Sequence, residues 1–297
     1  MKRISQQEER PVIIIGAARS GTKILRSALA ASPELVSFPY DINYIWKYGN
    51  YDIPHDELTK DDLTDEISKF IKKKFQSLRS KGNADRVLEK TVSNSLRIDF
   101  VKEIFPRAKI IHLFRDGRDV ATSSRLCWQS SMVSGKIQQK QDVLKKIIDF
   151  PILSAWPYLA TYFLTYTKRL ISRSRHVQSW GPRFKGIDEA VAKYSLIEVC
   201  GIQWARCIDL SLKSLSKMKE SEDYIHIQYE QLMKDPVKEL LRITDFLEIK
   251  EVAPIKKFAE SNFSTRYTKY WEELLSSDEK NRLMPHIEKS LKDLGYT

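Results

Sequence analysis

The sequence predicts an α/β protein: a three-layer sandwich with a central parallel sheet of about five strands and a helical insertion. Three observations carry that expectation. Val12-Ile13-Ile14-Ile15 and Lys109-Ile110-Ile111-His112-Leu113-Phe114 are short apolar runs without polar alternation, the pattern of strands buried on both faces. Apolar residues at helical spacing follow each run, as crossovers between parallel strands require. Between residues 125 and 186 this rhythm stops, and a basic, aromatic-rich stretch takes over.

The 297 residues suffice for one large core, so the chain reads as a single domain, 1–297, with the insertion at 125–186. The charged fraction is 30% and the hydrophobic fraction 42%, which fits a globular chain and excludes disordered and fibrous classes. Cys127, Cys200 and Cys207 offer neither an even disulfide framework nor the paired spacing of a metal site. Met1 to Arg10 is too polar for a secretory leader. A cytoplasmic protein with reduced thiols is the expectation.

Taken in order, Val12–Ile15 is the first strand, and Ile24, Leu25, Ala28 and Leu29 mark a helix that ends before Pro33. Leu35-Val36-Ser37-Phe38 is the second strand, stopped by Pro39. Asp41 lies just past its end, among the aromatics of Tyr40–Trp46, where open parallel sheets bind ligands. The spacing of Leu63, Ile67, Phe70, Ile71, Phe75 and Leu78 predicts a helix over 58–80. Arg86–Lys90 is the third strand, followed by a loop and a helix through Ile98, Val101 and Ile104 to Phe105. Within the fourth strand His112 reads as a core histidine. One long helix is predicted over 187–218, a fifth strand at Tyr224–Gln228, a helix at 230–247 and a helical ending around 283–294.

The stretch Gly16-Ala17-Ala18-Arg19-Ser20-Gly21-Thr22-Lys23 joins the first strand to its helix, a geometry that aims backbone N–H groups and a positive helix end at an anion. Gly16 and Gly21 have the spacing of a phosphate-binding P-loop, which makes the expected fold P-loop NTPase-like. The final pair is reversed: a Walker loop needs lysine and then a hydroxyl that holds Mg²⁺, whereas here Thr22 precedes Lys23. A nucleotide or small-molecule kinase using ATP–Mg is therefore the alternative reading, with Asp116 available at a strand end. A second anion-type motif, Arg115-Asp116-Gly117-Arg118-Asp119, leaves the fourth strand and opens a helix carrying Ser123.

These motifs and their order resemble the sulfotransferases that use 3′-phosphoadenosine 5′-phosphosulfate (PAPS), in the glycan and protein-tyrosine branch. Gly16 to Thr22 is similar to the 5′-phosphosulfate loop, and Ile111 to Ser123 is similar to the 3′-phosphate motif. Leu88-Glu89-Lys90-Thr91, with Ser93, Asn94 and Arg97, and Tyr229-Glu230-Gln231-Leu232 with Asp235-Pro236 are supporting matches over 11–124 and 195–250. The resemblance implies metal-independent, in-line transfer of a sulfuryl group from PAPS to a hydroxyl. It implies that Arg19, Ser20, Gly21, Thr22 and Lys23 hold the 5′-phosphosulfate, and that Arg115 and Ser123 hold the 3′-phosphate. Lys90 would neutralise the leaving oxygen, and Tyr229 and Lys269 would touch the nucleotide. Asp41 stands about where the family places a glutamate base; His55 is the second candidate and Asp52 a weaker one. Arg19, Lys90 and Asp41 are thus the expected catalytic residues.

The insertion holds eleven Lys/Arg against Asp142 and Asp149, and so carries +9 of the chain's +11 net charge. Its nine aromatics and its basicity suit an acceptor cap for a glycan or glycoconjugate, anionic or lipid-linked. Residues 150–167 are uncharged but contain Pro151 and Pro157, a poor membrane span. Lys168, Arg169, Arg173 and Arg175 follow, so peripheral membrane contact through 150–175 stays open. Net charge alone would also fit a nucleic-acid binder; the two phosphate-type motifs argue for a nucleotide instead.

Overall fold

The computed structural model describes residues 9–134, 180–263 and 268–297. Five parallel strands, β1 (Val12–Ile15), β2 (Leu35–Ser37), β3 (Arg86–Lys90), β4 (Lys109–Phe114) and β5 (Tyr224–Gln228), pair in the order β2-β3-β1-β4-β5. Ile14 pairs with Lys90, Ile15 with His112, and Phe114 with Gln228, so the strands end close together at one edge of the sheet. From β1 the chain crosses toward β2, and from β4 it crosses the opposite way toward β5. The C-terminal ends of β1 and β4 therefore flank a topological switch point, where a doubly wound sheet opens a crevice.

Alternate strand residues feed two cores, which explains the unbroken apolar runs. Val12, Ile14, Leu88, Ile111, Leu113 and Ile227 pack with α1 (Thr22–Leu29), α8 (Tyr229–Lys234), α9 (Pro236–Leu247) and α10 (Ala253–Asn262). Ile13, Ile15, Val87 and Ile110 pack on the other face with α2 (Asn43–Trp46), α3 (Asp65–Gly82) and α4 (Ile98–Ile104). A third cluster joins α5 (Gly117–Ser134), α6 (Ile187–Lys193), α7 (Leu196–Leu215) and α12 (Ser277–Asp293) around Trp128, Trp204 and Leu283. A short helix, α11 (Trp271–Leu274), precedes α12. The parallel α/β sandwich is as expected, and His112 is fully buried.

Three helix boundaries differ from the pattern-based reading, each because a cap intervenes. The 58–80 helix begins only at Asp65, where the Thr64 hydroxyl accepts the Ile67 N–H; upstream, Leu58 is buried in a loop and Lys60–Asp62 form a 3₁₀ turn. The 187–218 helix is two helices, because Ser195 and Glu198 form a capping box that starts α7 afresh. At 230–247 the Asp235 side chain caps α9 at the Lys238 N–H, with Pro236 in its first turn.

Of the insertion, 135–179 lie outside the described residues, including the aromatic stretch 150–167 and the basic cluster Lys168, Arg169, Arg173 and Arg175. Its two flanks are anchored. Arg125 pairs with Glu279, and the backbones of Arg183 and Asp56 are joined, with Asp56 N–H donating to the Arg183 carbonyl at 2.7 Å.

Candidate active site

The loop after β1 approaches its neighbours so closely that it needs its glycines. A Cβ on Gly16 would collide with the Leu113 carbonyl, and the Gly16 N–H donates to Ser95 Oγ at 2.9 Å. Gly21, at φ 90°, caps α1 without a side-chain hydrogen bond, and a Cβ there would lie 2.5 Å from the Tyr229 ring. First-turn N–H groups of α1 have no intrahelical partner and so are available to an anion. Arg19 adopts φ 72°, a left-handed conformation that costs a non-glycine residue about 1 kcal/mol. Ser20 is fully buried and its Oγ has no partner, although it sits in the cradle itself. An orphaned hydroxyl beside free amides and an arginine fits a bound oxyanion.

The turn after β4 meets this loop directly. Arg19 Nε donates to Ser123 Oγ at 2.9 Å, and Arg115 Nη1 donates to the Arg19 carbonyl at 3.0 Å. Arg115 is 4% exposed; its guanidinium lies 4.4 Å over the Tyr229 ring and 5.5 Å from that of Tyr270, and pairs with Asp119 at 3.4 Å. Tyr229 therefore packs under Gly21 and stacks on Arg115, so that one ring spaces both motifs.

A strap from the C-terminal part closes the same side. Asp119 accepts the N–H groups of Lys269 at 2.9 Å and Trp271 at 3.1 Å, and its carbonyl accepts the Tyr270 hydroxyl at 2.9 Å. Burial pushes the Asp119 carboxyl up, and the Arg115 charge draws it back down. Arg118, held by both Asp116 oxygens, lies 4.4 Å over the Trp271 ring. The side chains of Lys269 and Lys23 are exposed; of the two, Lys269 joins this arrangement through its backbone.

On the other side of β1, Lys90 forms a salt bridge with Asp41. Lys90 is 8% exposed, whereas Asp41 keeps one edge open to solvent and its second oxygen accepts weakly from the Val92 N–H at 3.5 Å. The two were expected at one site from separate strand ends, and the fold makes them a contact pair. At His55 the carbonyl accepts from Lys47 Nζ, and Glu57, Lys47, Lys185 and Asp56 are the charges around it. Burial, the largest influence, lowers its pKa. Asp52 is exposed.

Beneath the pair lies a polar network that sequence reading did not assemble. Asp56, 5% exposed, accepts from Asn43 Nδ2 at 3.0 Å, Ser93 Oγ at 2.8 Å and the Arg183 N–H at 2.8 Å. Burial pushes Asp56 up, but the Arg97 charge and these bonds outweigh it and hold the carboxyl below its usual range. Arg97, 2% exposed, donates to Asn94 and Asn43, and burial lowers it to about 10. Asn94 in turn donates to Glu89, which burial, reinforced by Asp41, pushes up to about 7. The Thr91 hydroxyl accepts the Ile42 N–H at 2.9 Å, next to Asp41. The turn carrying Asp41 and the loop after Lys90 are thus tied together. The available signal was the polar density of Ser93, Asn94, Ser95 and Arg97, all of which are buried. Ser95, Tyr270 and Asp56 had no motif of their own and become visible only through their contacts.

Among the described residues no helix is long and apolar enough to cross a membrane. No curated protein sequence matches the chain significantly. Residues 11–148 match the model of the sulfotransferase family, a span that holds the Arg19 loop, Asp41, Lys90 and the Arg115–Ser123 turn. Among solved structures, the sulfotransferase domain of the curacin biosynthetic pathway superposes with a TM-score of 0.56 at 13% identity, covering 97% of this chain and 98% of that one. Sulfotransferase STF9 of Mycobacterium avium gives 0.54 at 14% identity, covering 98% of this chain and 78% of that one. Mouse sulfotransferase SULT7A1, solved with PAP, gives 0.51 at 15% identity, covering 97% and 86%. Residues 11–148, which hold both phosphate-type motifs, are thus similar to the sulfotransferase family, and the chain shares its fold over nearly its whole length with solved sulfotransferases.

Proposed function

We propose that this protein moves the sulfuryl group of PAPS to a hydroxyl of an acceptor, a glycan or glycoconjugate, by in-line transfer without a metal. The observation that carries the reading is the joined clasp: Arg19 bonded to Ser123, and Arg115 bonded to the Arg19 carbonyl, at the switch point of the sheet. One clasp with cationic groups from two strand ends suits a nucleotide phosphorylated at both 3′ and 5′ positions. The orphaned Ser20 hydroxyl and the open amides of α1 support an oxyanion between them.

PAPS supplies the sulfuryl group and leaves as adenosine 3′,5′-bisphosphate (PAP). Arg19, the Ser20 hydroxyl and the N–H groups of Gly21 to Lys23 bind the 5′ end, and Arg115 with Ser123 binds the 3′-phosphate. Tyr229 and the backbone at Lys269 shape the nucleotide's surroundings. Asp41 takes the proton of the acceptor hydroxyl, and Lys90 meets the negative charge that builds on the departing oxygen. Their salt bridge holds the two groups side by side in the free protein. Sulfuryl transfer needs positioned cations and donors more than covalent help, as loose phosphoryl transfer does. Lys23 follows Thr22, so the Mg²⁺-holding hydroxyl of a kinase loop is not at its usual place. The +9 net charge of the 125–186 insertion supports an anionic acceptor.

Titration calorimetry with PAP, and separately with ATP–Mg²⁺, tests the reading. PAP binding in the low-micromolar range or tighter without added metal is expected; preference for ATP–Mg²⁺ would return the kinase reading. A screen of hydroxyl acceptors with radiolabelled PAPS then identifies the second substrate.

A further inference from the structure

At the outer edge of the Arg115 turn stands a residue that no motif includes. Tyr296, just beyond α12, donates its hydroxyl to Glu230 Oε2 at 2.7 Å. The other oxygen of Glu230, Oε1, accepts the backbone N–H of Asp116 at 3.1 Å. The Tyr296 ring meets Phe114 edge-on, with centroids 6.2 Å apart, and its hydroxyl also neighbours Gln228. Phe114 and Gln228 are the paired last residues of β4 and β5. Tyr296 thus plugs the ends of both strands, directly under the peptide that aims Arg115.

We propose that Tyr296 and Glu230 are positioning residues that buttress the Phe114–Asp116 backbone and so set the affinity of Arg115 for the 3′-phosphate. The proposal rests on the nucleotide reading above and deepens it. One Glu230 oxygen accepts from Tyr296 and the other from Asp116, with the residue's own backbone N–H also donating to the carboxylate, so the group bridges Tyr296 to Asp116 and cannot turn without losing a bond. Asp116 then fixes Arg118 through two bonds, and Arg118 stacks on Trp271. The buttress therefore reaches both the anion-facing arginine and the strap that covers it. Burial pushes both the Glu230 carboxyl and the Tyr296 hydroxyl up, in keeping with a desolvated contact. Removing the Tyr296 hydroxyl leaves Glu230 Oε2 without its donor; the carboxylate rotates to find another, and the Asp116 N–H is released. Helix α12 stays seated through buried Leu283, Ile287 and Leu291, so the change acts on the turn and not on the fold.

The test compares two probes by titration calorimetry: PAP, and adenosine 5′-phosphosulfate, which lacks the 3′-phosphate. Tyr296→Phe is expected to weaken PAP roughly three- to tenfold, the scale of one lost buried hydrogen bond, and to leave adenosine 5′-phosphosulfate unchanged. Glu230→Ala reproduces the loss. Glu230→Gln restores PAP affinity, because its amide oxygen accepts from Asp116 while its nitrogen donates to the Tyr296 oxygen. Equal weakening of both probes by Tyr296→Phe would mean a general structural role and overturn the proposal. Unchanged PAP binding would overturn it as well. Wild-type protein that binds neither probe would instead sink the nucleotide reading itself, and this proposal with it.

Discussion

Arg19 and Ser123, 104 positions apart, share a hydrogen bond of 2.9 Å from Nε to Oγ. One residue ends the left-handed bend of the loop after β1, and the other stands on the second turn of the helix after β4. Their contact welds the two anion-facing motifs into one surface. Ser123→Ala removes the acceptor of that bond and the hydroxyl proposed to hold the 3′-phosphate. PAP affinity should fall about tenfold, the equivalent of about 1.4 kcal/mol, with little change in melting temperature. Calorimetric titration of the variant beside wild type checks it.

Arg115 serves Arg19, Asp119 and two aromatic rings at once, which a lysine cannot do. Arg115→Lys keeps the charge but loses the fork and the stacking. A loss of roughly a hundredfold in PAP affinity is expected, far beyond what a point charge alone would account for. If Arg115→Lys bound PAP as wild type does, the guanidinium geometry would have no role in the clamp.

Asp41→Asn removes the proposed base and leaves Lys90 without its carboxylate. Turnover with the acceptor that a screen identifies should drop by about 10²-fold or more, while PAP affinity is retained. Rapid-quench measurement of radiolabel transfer from PAPS separates the two effects. The same substitution at His55 should leave transfer within about twofold, since His55 stands in the Lys47 and Glu57 surroundings.

Asp56 holds Asn43, Ser93 and Arg183 with three bonds and faces the buried Arg97 charge. Its carboxyl sits below the usual range, so its contribution to stability is complete above pH 3.8 and is lost as pH falls through its folded value. Asp56→Asn should cost about 3 kcal/mol at neutral pH, because a buried arginine loses its counter-charge. It should also flatten the acid limb of stability below about pH 4. Urea unfolding at several pH values measures both.

Glu89 behaves in the opposite sense. Burial raises its carboxyl from 4.5 to about 7, so the folded protein retains a proton that the unfolded chain releases. Stability from this group is full below pH 4.5 and declines as pH rises to about 7. Glu89→Gln should remove that decline and make the variant's stability flatter than wild type over this window. A persisting slope in thermal melts of the variant would assign the effect to another group.

How much of this was legible in the sequence follows from what kind of interaction holds each part. The strands were readable because parallel strands buried on both faces demand uninterrupted apolar residues, as in Val12–Ile15 and Ile110–Leu113. Helix ends were less so: Thr64 and Ser195 were visible as residue types, but whether a hydroxyl caps depends on the chain turning toward it. The insertion was legible as composition alone, and residues 135–179 lie outside the described structure.

By itself the sequence determined the α/β class, the order of the two phosphate-type motifs and the residues at their tips, because local backbone chemistry and short-range periodicity govern these. Only the tertiary structure decided that Arg19 meets Ser123, that Asp41 meets Lys90 and not His55, and that Tyr296 stands behind Arg115. Those contacts join residues 49 to 104 positions apart or more, and strand order alone sets which ends become neighbours. A linear pattern records what each segment can form; the packing of five strands selects which of their ends share one site.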